Sequence, residues 1–343
     1  MFQKIAFVDA IAAQPEALAR CLSSVRRSLQ TTGLAPWRPG ETVGLVGMGA
    51  STHSGHALVA LLAEAGVRAV NLTASDIAAG APGFQAADHY VIVSESGRSP
   101  EPIAAAALLT PGRRIAITND PDAPLAEAVD ATLGLGGFDD SPVYTAGYTA
   151  TLLAYALLLD RQGVRPAGPD VEAIPATVAA ALERYDEVAA RLAGTLRTAT
   201  AVDVVGRGPS LASAAETALM VREALRIHSA AFDTYQYLHG PMEPLRPGSV
   251  LIAFGDGREL TVPDSPLQGG AHVILVTSAS PQDIPSAGHE ALTIVPLPPE
   301  LTGVPRVVVE TVIAQLLVAH AARGLDFKVE DFLYTQADTK LPD

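Results

Sequence analysis

Val43-Gly44-Leu45-Val46-Gly47-Met48-Gly49-Ala50-Ser51 is an apolar strand running into Gly-x-Gly-x-Ser. Val202-Asp203-Val204-Val205-Gly206-Arg207-Gly208-Pro209-Ser210 repeats the pattern at a constant offset. A single Gly-x-Gly after a strand serves any tight βα turn. Two copies, each opening its own α/β half, imply a duplicated domain.

Short apolar, β-rich runs alternate with helical ones around both copies, which predicts doubly wound parallel sheets flanked by helices. In the first half, strands are expected at 42–47, 68–72, 89–94, 113–118 and 131–135, and helices at 53–65, 100–109, 123–128 and 146–161. A leading helix is expected at 15–33, followed by the linker Ala35-Pro36-Trp37-Arg38-Pro39-Gly40. The Pro- and Gly-rich stretch from Gly163 to Pro175 reads as the boundary between halves. Beyond it a helix at 174–194 leads to strands at 200–205, 249–254, 272–277 and 291–295, with helices at 209–227 and 304–322. The tail from Asp326 onward has no periodicity. The expected division is 1–39 (helix and linker), 40–165 (first domain, phosphate binding), 166–195 (linking helix) and 196–343 (second domain with its tail).

The most chemically loaded turn is Ser94-Glu95-Ser96-Gly97-Arg98-Ser99, between the strand His89–Val93 and a helix opened by Pro100. Hydroxyls, backbone N–H groups and a helix N-terminus can together surround a phosphate. The same residues also fit an ordinary Ser/Gly loop with a Ser N-cap. Ser51 and this turn both stand at carboxyl ends of strands, where a doubly wound sheet binds its ligand, so they are expected to converge on one pocket. In the second half the matching stretch, Ala253-Phe254-Gly255-Asp256-Gly257, has no hydroxyl and carries a carboxylate.

The helix expected at 209–227 places Glu216, Met220 and Glu223 on one largely apolar face with Leu219 and Ile227. Buried carboxylates are costly unless paired or functional, and burial raises their pKa toward that of a neutral-pH base. The alternative is pairing with Arg222 and Arg226. His239-Gly240-Pro241 holds a histidine in a turn after the aromatic segment Phe232–Tyr237.

The 343 residues suffice for two domains, and 48% of them are apolar. A net charge of −14 disfavours nucleic acid and membrane surfaces as partners. Cys21 is alone, which excludes an internal disulfide, and it reads as a buried small residue. The histidines show no metal spacing. Neither a dinucleotide fingerprint nor a P-loop is present, so no cofactor is expected. Apolar runs fall short of the ~18 residues of a membrane span. No signal-like stretch follows Met1-Phe2-Gln3-Lys4, which points to the cytoplasm.

Taken together, these motifs resemble two tandem sugar isomerase (SIS) domains, paired as in the isomerase part of glucosamine-6-phosphate synthase. The resemblance implies that Ser51, beside Gly49, and Ser94, Ser96, Gly97 and Ser99 bind a sugar phosphate. It implies that Glu223 is the proton-shuttling base, supported by Glu216, and that His239 opens the sugar ring from a partner subunit. It implies that Lys340, in the tail, contacts the substrate, and that the protein is a homodimer with shared sites. Four departures accompany it. Glu95 stands where the family has Gln, with Arg98 nearby to offset it, and Met220 stands where the synthases have Lys. The loop Asp139–Ala146 matches poorly, and no N-terminal glutaminase is expected. The resemblance therefore implies an aldose–ketose isomerase or deaminase of an amino-sugar phosphate, without metal or organic cofactor. Its alternatives are a deglycase or isomerase for an atypical sugar, and a non-catalytic sugar-phosphate regulator.

Overall fold

The computed structural model describes residues 2–81, 83–164 and 170–341. The first half runs α1 (Phe7–Thr31), β1 (Thr42–Gly47), α2 (Ala50–Glu64), β2 (Arg68–Thr73), α3 (Ala74–Ala78), β3 (His89–Val93), α4 (Pro100–Leu108), β4 (Arg114–Thr118), α5 (Pro124–Glu127), β5 (Ala131–Gly134) and α6 (Ala146–Arg161). The second runs α7 (Ile174–Arg197), β6 (Ala201–Gly206), α8 (Ser210–Met220), β7 (Ser229–Asp233), α9 (Thr234–Tyr237), β8 (Ser249–Phe254), α10 (Asp264–Gln268), β9 (His272–Thr277), β10 (Leu292–Pro296) and α11 (Gly303–Ala322). The expected boundary at 163–175 falls partly on 165–169, outside the described residues.

Each half builds a five-stranded parallel sheet, in the orders β2-β1-β3-β4-β5 and β10-β9-β8-β6-β7. Numbered within its own half, each order is 2-1-3-4-5, so the two sheets share one topology. Their central strands, β3 and β8, are buried from end to end because helices cover both faces. One continuous core joins the halves, running from Leu18 and Leu58 through Tyr155 to Val204, Ile252 and Val312. Within it α2 packs on α8, and α11 packs on α7. Cys21 is buried there, its thiol donating to the carbonyl of Ala150 at 3.5 Å.

Three expectations are corrected. The leading helix begins at Phe7, not at residue 15, and Pro15 lies inside it. Proline deprives the Ile11 carbonyl of its i+4 donor. The Gln14 side chain supplies that bond instead, its Nε2 donating to Ile11 O at 3.2 Å and to Gln315 Oε1 at 2.8 Å. The helix expected at 209–227 stops at Met220 and widens into a π turn, Val221–Leu225, closed by Arg226 at φ 56°. Residue Arg226 is drawn out of helical geometry as its guanidinium bonds Asp331 O at 2.6 Å and lies over the Phe327 ring. Finally, α11 is long and apolar enough to cross a membrane by length and composition. However, 94% of its apolar window is buried inside the fold, which makes it a core helix. One strand escaped the sequence: β7 pairs with β6 at the sheet edge and is only partly buried, so it lacks an apolar run.

Candidate active site

The Ser turn joins β3 to α4. Gly97 turns the chain at φ +63°, and a Cβ there would stand 2.6 Å from Ala123 Cβ, so only glycine fits. Its N–H donates to Ser94 O at 3.0 Å, and its carbonyl accepts from Leu125 N at 3.0 Å. Ser99 occupies the N-cap position of α4 without making a side-chain capping bond. Ser94 Oγ is buried and has no partner. These two hydroxyls are therefore not consumed by the turn, unlike those of an ordinary capped loop. Ser96 Oγ accepts from Arg98 N at 3.3 Å and from Lys340 Nζ at 2.7 Å.

Around Ser96 lies a cavity of about 310 Å³, walled by Lys4, Glu95, Arg98, Tyr144 and Lys340 among others. Glu95 is buried and fully engaged: Tyr144 donates its hydroxyl to Oε2 at 2.6 Å, and Asn119 Nδ2 donates to Oε1 at 3.2 Å. Arg98 faces Asp120 at 3.8 Å. Asp140 accepts the N–H groups of Ser141, Ala146 and Gly147 at the start of α6. Burial pushes its pKa up to about 6; the Gly147 N–H opposes this and the Glu95 charge adds to it. Although Lys340 is exposed along much of its length, its ammonium end is crowded. Loss of water there lowers its pKa, against the attraction of Glu95 and with the repulsion of Lys4.

Glu223 stands on the π turn, where a locally widened helix re-aims a side chain. It faces a second cavity, about 550 Å³, bounded by Leu219, Arg222, Arg226, Phe332 and Tyr334. Burial first, and then the charge of Glu216, push its pKa up to about 8. Glu216 is 1% exposed and lies 3.2 Å through Oε2 from His53 Nδ1. The alternative partners bond elsewhere: Arg222 donates to Ser229 O, and Arg226 to Asp331 O.

The structure brings together Glu95, Ser96, Arg98 and Lys340, and it sets Glu216 beside Glu223. Ser51 is not among the walls of the Ser96 cavity. That cavity is lined by Asp120 and Asp140, which follow β4 and β5, while Ser51 lies in the first turn of α2, after β1, the neighbour of β3. His239 is exposed in the turn after α9 and borders neither cavity. Sequence reading missed Lys4, Asn119, Asp140, Tyr144 and His53. Lys4 sits in the N-terminal segment whose residues read as helix and linker, and its ammonium lies 5.8 Å above the Tyr144 ring. The loop holding Asp140 and Tyr144 registered only as a mismatch.

Residues 195–322 match the family model described as the SIS domain. The second half of the chain therefore carries a SIS domain. In sequence the chain is 27% identical over 308 residues to the isomerizing glutamine–fructose-6-phosphate aminotransferase of Aeropyrum pernix, covering 83% of this chain and 49% of the relative. The enzyme of the same description from Pyrobaculum aerophilum is 26% identical, covering 71% of this chain and 42% of the relative. The chain thus spans half or less of the length of these curated relatives. Its fold is similar to that of glucosamine-6-phosphate deaminase from Thermotoga maritima, with a TM-score of 0.74 and 18% identity over 96% of this chain and 98% of that one. Tagatose-6-phosphate ketose/aldose isomerase from Escherichia coli shares the fold at TM-score 0.69 and 17% identity, covering 92% of each chain.

Proposed function

We propose that this protein is an enzyme that moves a proton between neighbouring carbons of a phosphorylated amino sugar, an aldose–ketose isomerisation coupled to loss of ammonia. The observation that carries the reading is Lys340 Nζ on Ser96 Oγ, which sets the tail cation on the hydroxyl-rich turn. In this reading both halves are SIS domains, at 40–165 and 196–343, and their common strand order supports the pairing. Ser94, Ser96, Gly97 and Ser99 hold the phosphate, and Ser51 supports them from α2. Glu223 carries the proton, with a proton affinity suited to a base near neutral pH. His239 opens the ring from the partner subunit of a homodimer, where its exposure leaves it free to act. Carboxylates Glu95 and Asp140 beside Lys4 and Lys340 make a cavity complementary to a ligand bearing both phosphate and ammonium.

The Ser turn and Glu223 line separate cavities, and the tail walls both, through Phe332–Tyr334 on one side and Lys340 on the other. The test is incubation with a panel of hexosamine and ketose phosphates while ammonia and isomers are followed. Ammonia from a hexosamine phosphate supports the reading; isomerisation without ammonia reduces it to a simple isomerase. Tight binding without turnover of any member favours a non-catalytic regulator and overturns it.

A further inference from the structure

Glu216 and His53 come from different halves, α8 and α2, and meet at 3.2 Å. Glu216 is almost wholly buried, and its Oε1 has no partner. His53 keeps 26% of its side chain exposed, so the imidazole is the member that meets solvent. The contact holds one proton in either of two ways: Nδ1–H donating to a carboxylate, or a carboxylic acid donating to a neutral ring. Burial favours the uncharged acid, and only His53 opposes it directly.

We propose that His53 is a positioning residue for the proton chemistry of the second half: by sharing a proton with Glu216 it decides whether that buried carboxyl is charged, and through that charge it sets the proton affinity of Glu223. The kinetic part rests on Glu223 being the base; the dyad itself does not. Several titratable groups surround the pair. His56 lies on α2, one turn from His53, and Glu223 on the π turn. Tyr144 and Tyr148 approach from the first half, and both feel the Glu216 charge. Arg222 is turned to Ser229 O. With His53 gone, Glu216 takes up a proton, its repulsion of Glu223 disappears, and Glu223 ionises more easily.

The test pairs kinetics with a readout that needs no turnover. In His53→Leu, infrared difference spectra at neutral pH should show a buried carboxylic-acid carbonyl band that is lost in the His53→Leu/Glu216→Gln double variant. The acid limb of kcat/KM should move down by about one pH unit, the coupling expected of interacting carboxylates. Glu216→Gln should move it the same way, and the double variant no further than either single one. His53→Gln retains an N–H donor and should restore the limb toward wild type. An unmoved limb in His53→Leu, or no acid band, overturns the proposal. If His53→Leu does not fold, the His53 ring nitrogens are read by NMR in wild type and Glu216→Gln; loss of the carboxylate must change the Nδ1 signal that reports the hydrogen bond, and an unchanged signal overturns the dyad. If wild type turns over no sugar phosphate, the proposed function fails, while the infrared and NMR results still decide the dyad.

Discussion

Lys340 and Ser96, separated by 244 positions in the chain, meet with the lysine ammonium donating to the serine hydroxyl at 2.7 Å. The tail that carries Lys340 is pinned along its course. Phe327 lies under Arg226, Glu330 accepts the Phe7 N–H at 2.6 Å, and Leu341 N donates to Arg98 O at 2.8 Å. It runs from the π turn of one half to the Ser turn of the other, and so couples the two candidate cavities.

Ser96→Ala removes a hydroxyl that faces both Lys340 and the expected phosphate. A hydrogen bond to a charged group contributes roughly 1.5–3 kcal/mol, so KM for a phosphosugar should rise about ten- to a hundredfold. Steady-state kinetics on wild type and variant check this. Equal KM values would remove the Ser turn from the site.

Glu95→Gln withdraws a negative charge from the same cavity. It should tighten a ketose phosphate, whose phosphate the carboxylate repels, and weaken a hexosamine phosphate, whose ammonium it attracts. Calorimetric titration with the two ligands separates the effects. Parallel changes for both would mean that Glu95 discriminates neither group.

Glu223→Gln keeps the shape of the side chain but cannot accept a proton. The rate constant kcat should fall by about 10²–10⁴-fold while ligand binding persists, the range typical of general acid–base catalysis. Exchange of the sugar C2 proton with deuterated solvent should stop in the same variant. Exchange at the wild-type rate would reassign the base.

Opposite pH trends should arise from this one carboxyl. With a pKa of about 8 in the fold against an ordinary 4.5, Glu223 holds its proton more tightly when folded. Its contribution to stability is complete below pH 4.5 and is lost as pH rises through about 8. Activity should instead rise along a limb near pH 8, because only the carboxylate accepts a proton. Denaturant melts and kcat/KM profiles of wild type and Glu223→Gln test the pair of trends; both should vanish in the variant.

Gly97→Ala forces a side chain onto φ +63° against Ala123 Cβ. The strain should cost on the order of 1–3 kcal/mol, read as a lower denaturation midpoint together with weaker phosphosugar binding. An unchanged midpoint would show that the turn can relax.

Much of the fold was legible because its signals are local. Strands β1, β8 and β9 and helix α6 fall on the residues that periodicity assigned, since buried parallel strands are continuous apolar runs bounded by turn residues. The misplaced start of α1 has an equally specific cause. Pro15 reads as a first-turn residue, and nothing near it announces that Gln14 will satisfy the carbonyl it orphans.

By itself the sequence determined two α/β halves of like order, the glycine turn at Gly97, and the residue types on which the chemistry depends. Only the tertiary structure decided which of them meet. It seats Lys340 on Ser96, ties Glu95 to Tyr144 and Asn119, joins His53 to Glu216 across the halves, and leaves Ser51 and His239 outside the two cavities. Backbone geometry follows from neighbours within a few positions, whereas a side chain's partner follows from the packing of distant elements. The π turn under Glu223 belongs to the second kind, because it is stabilised by Arg226 reaching a tail that the chain adds a hundred residues later.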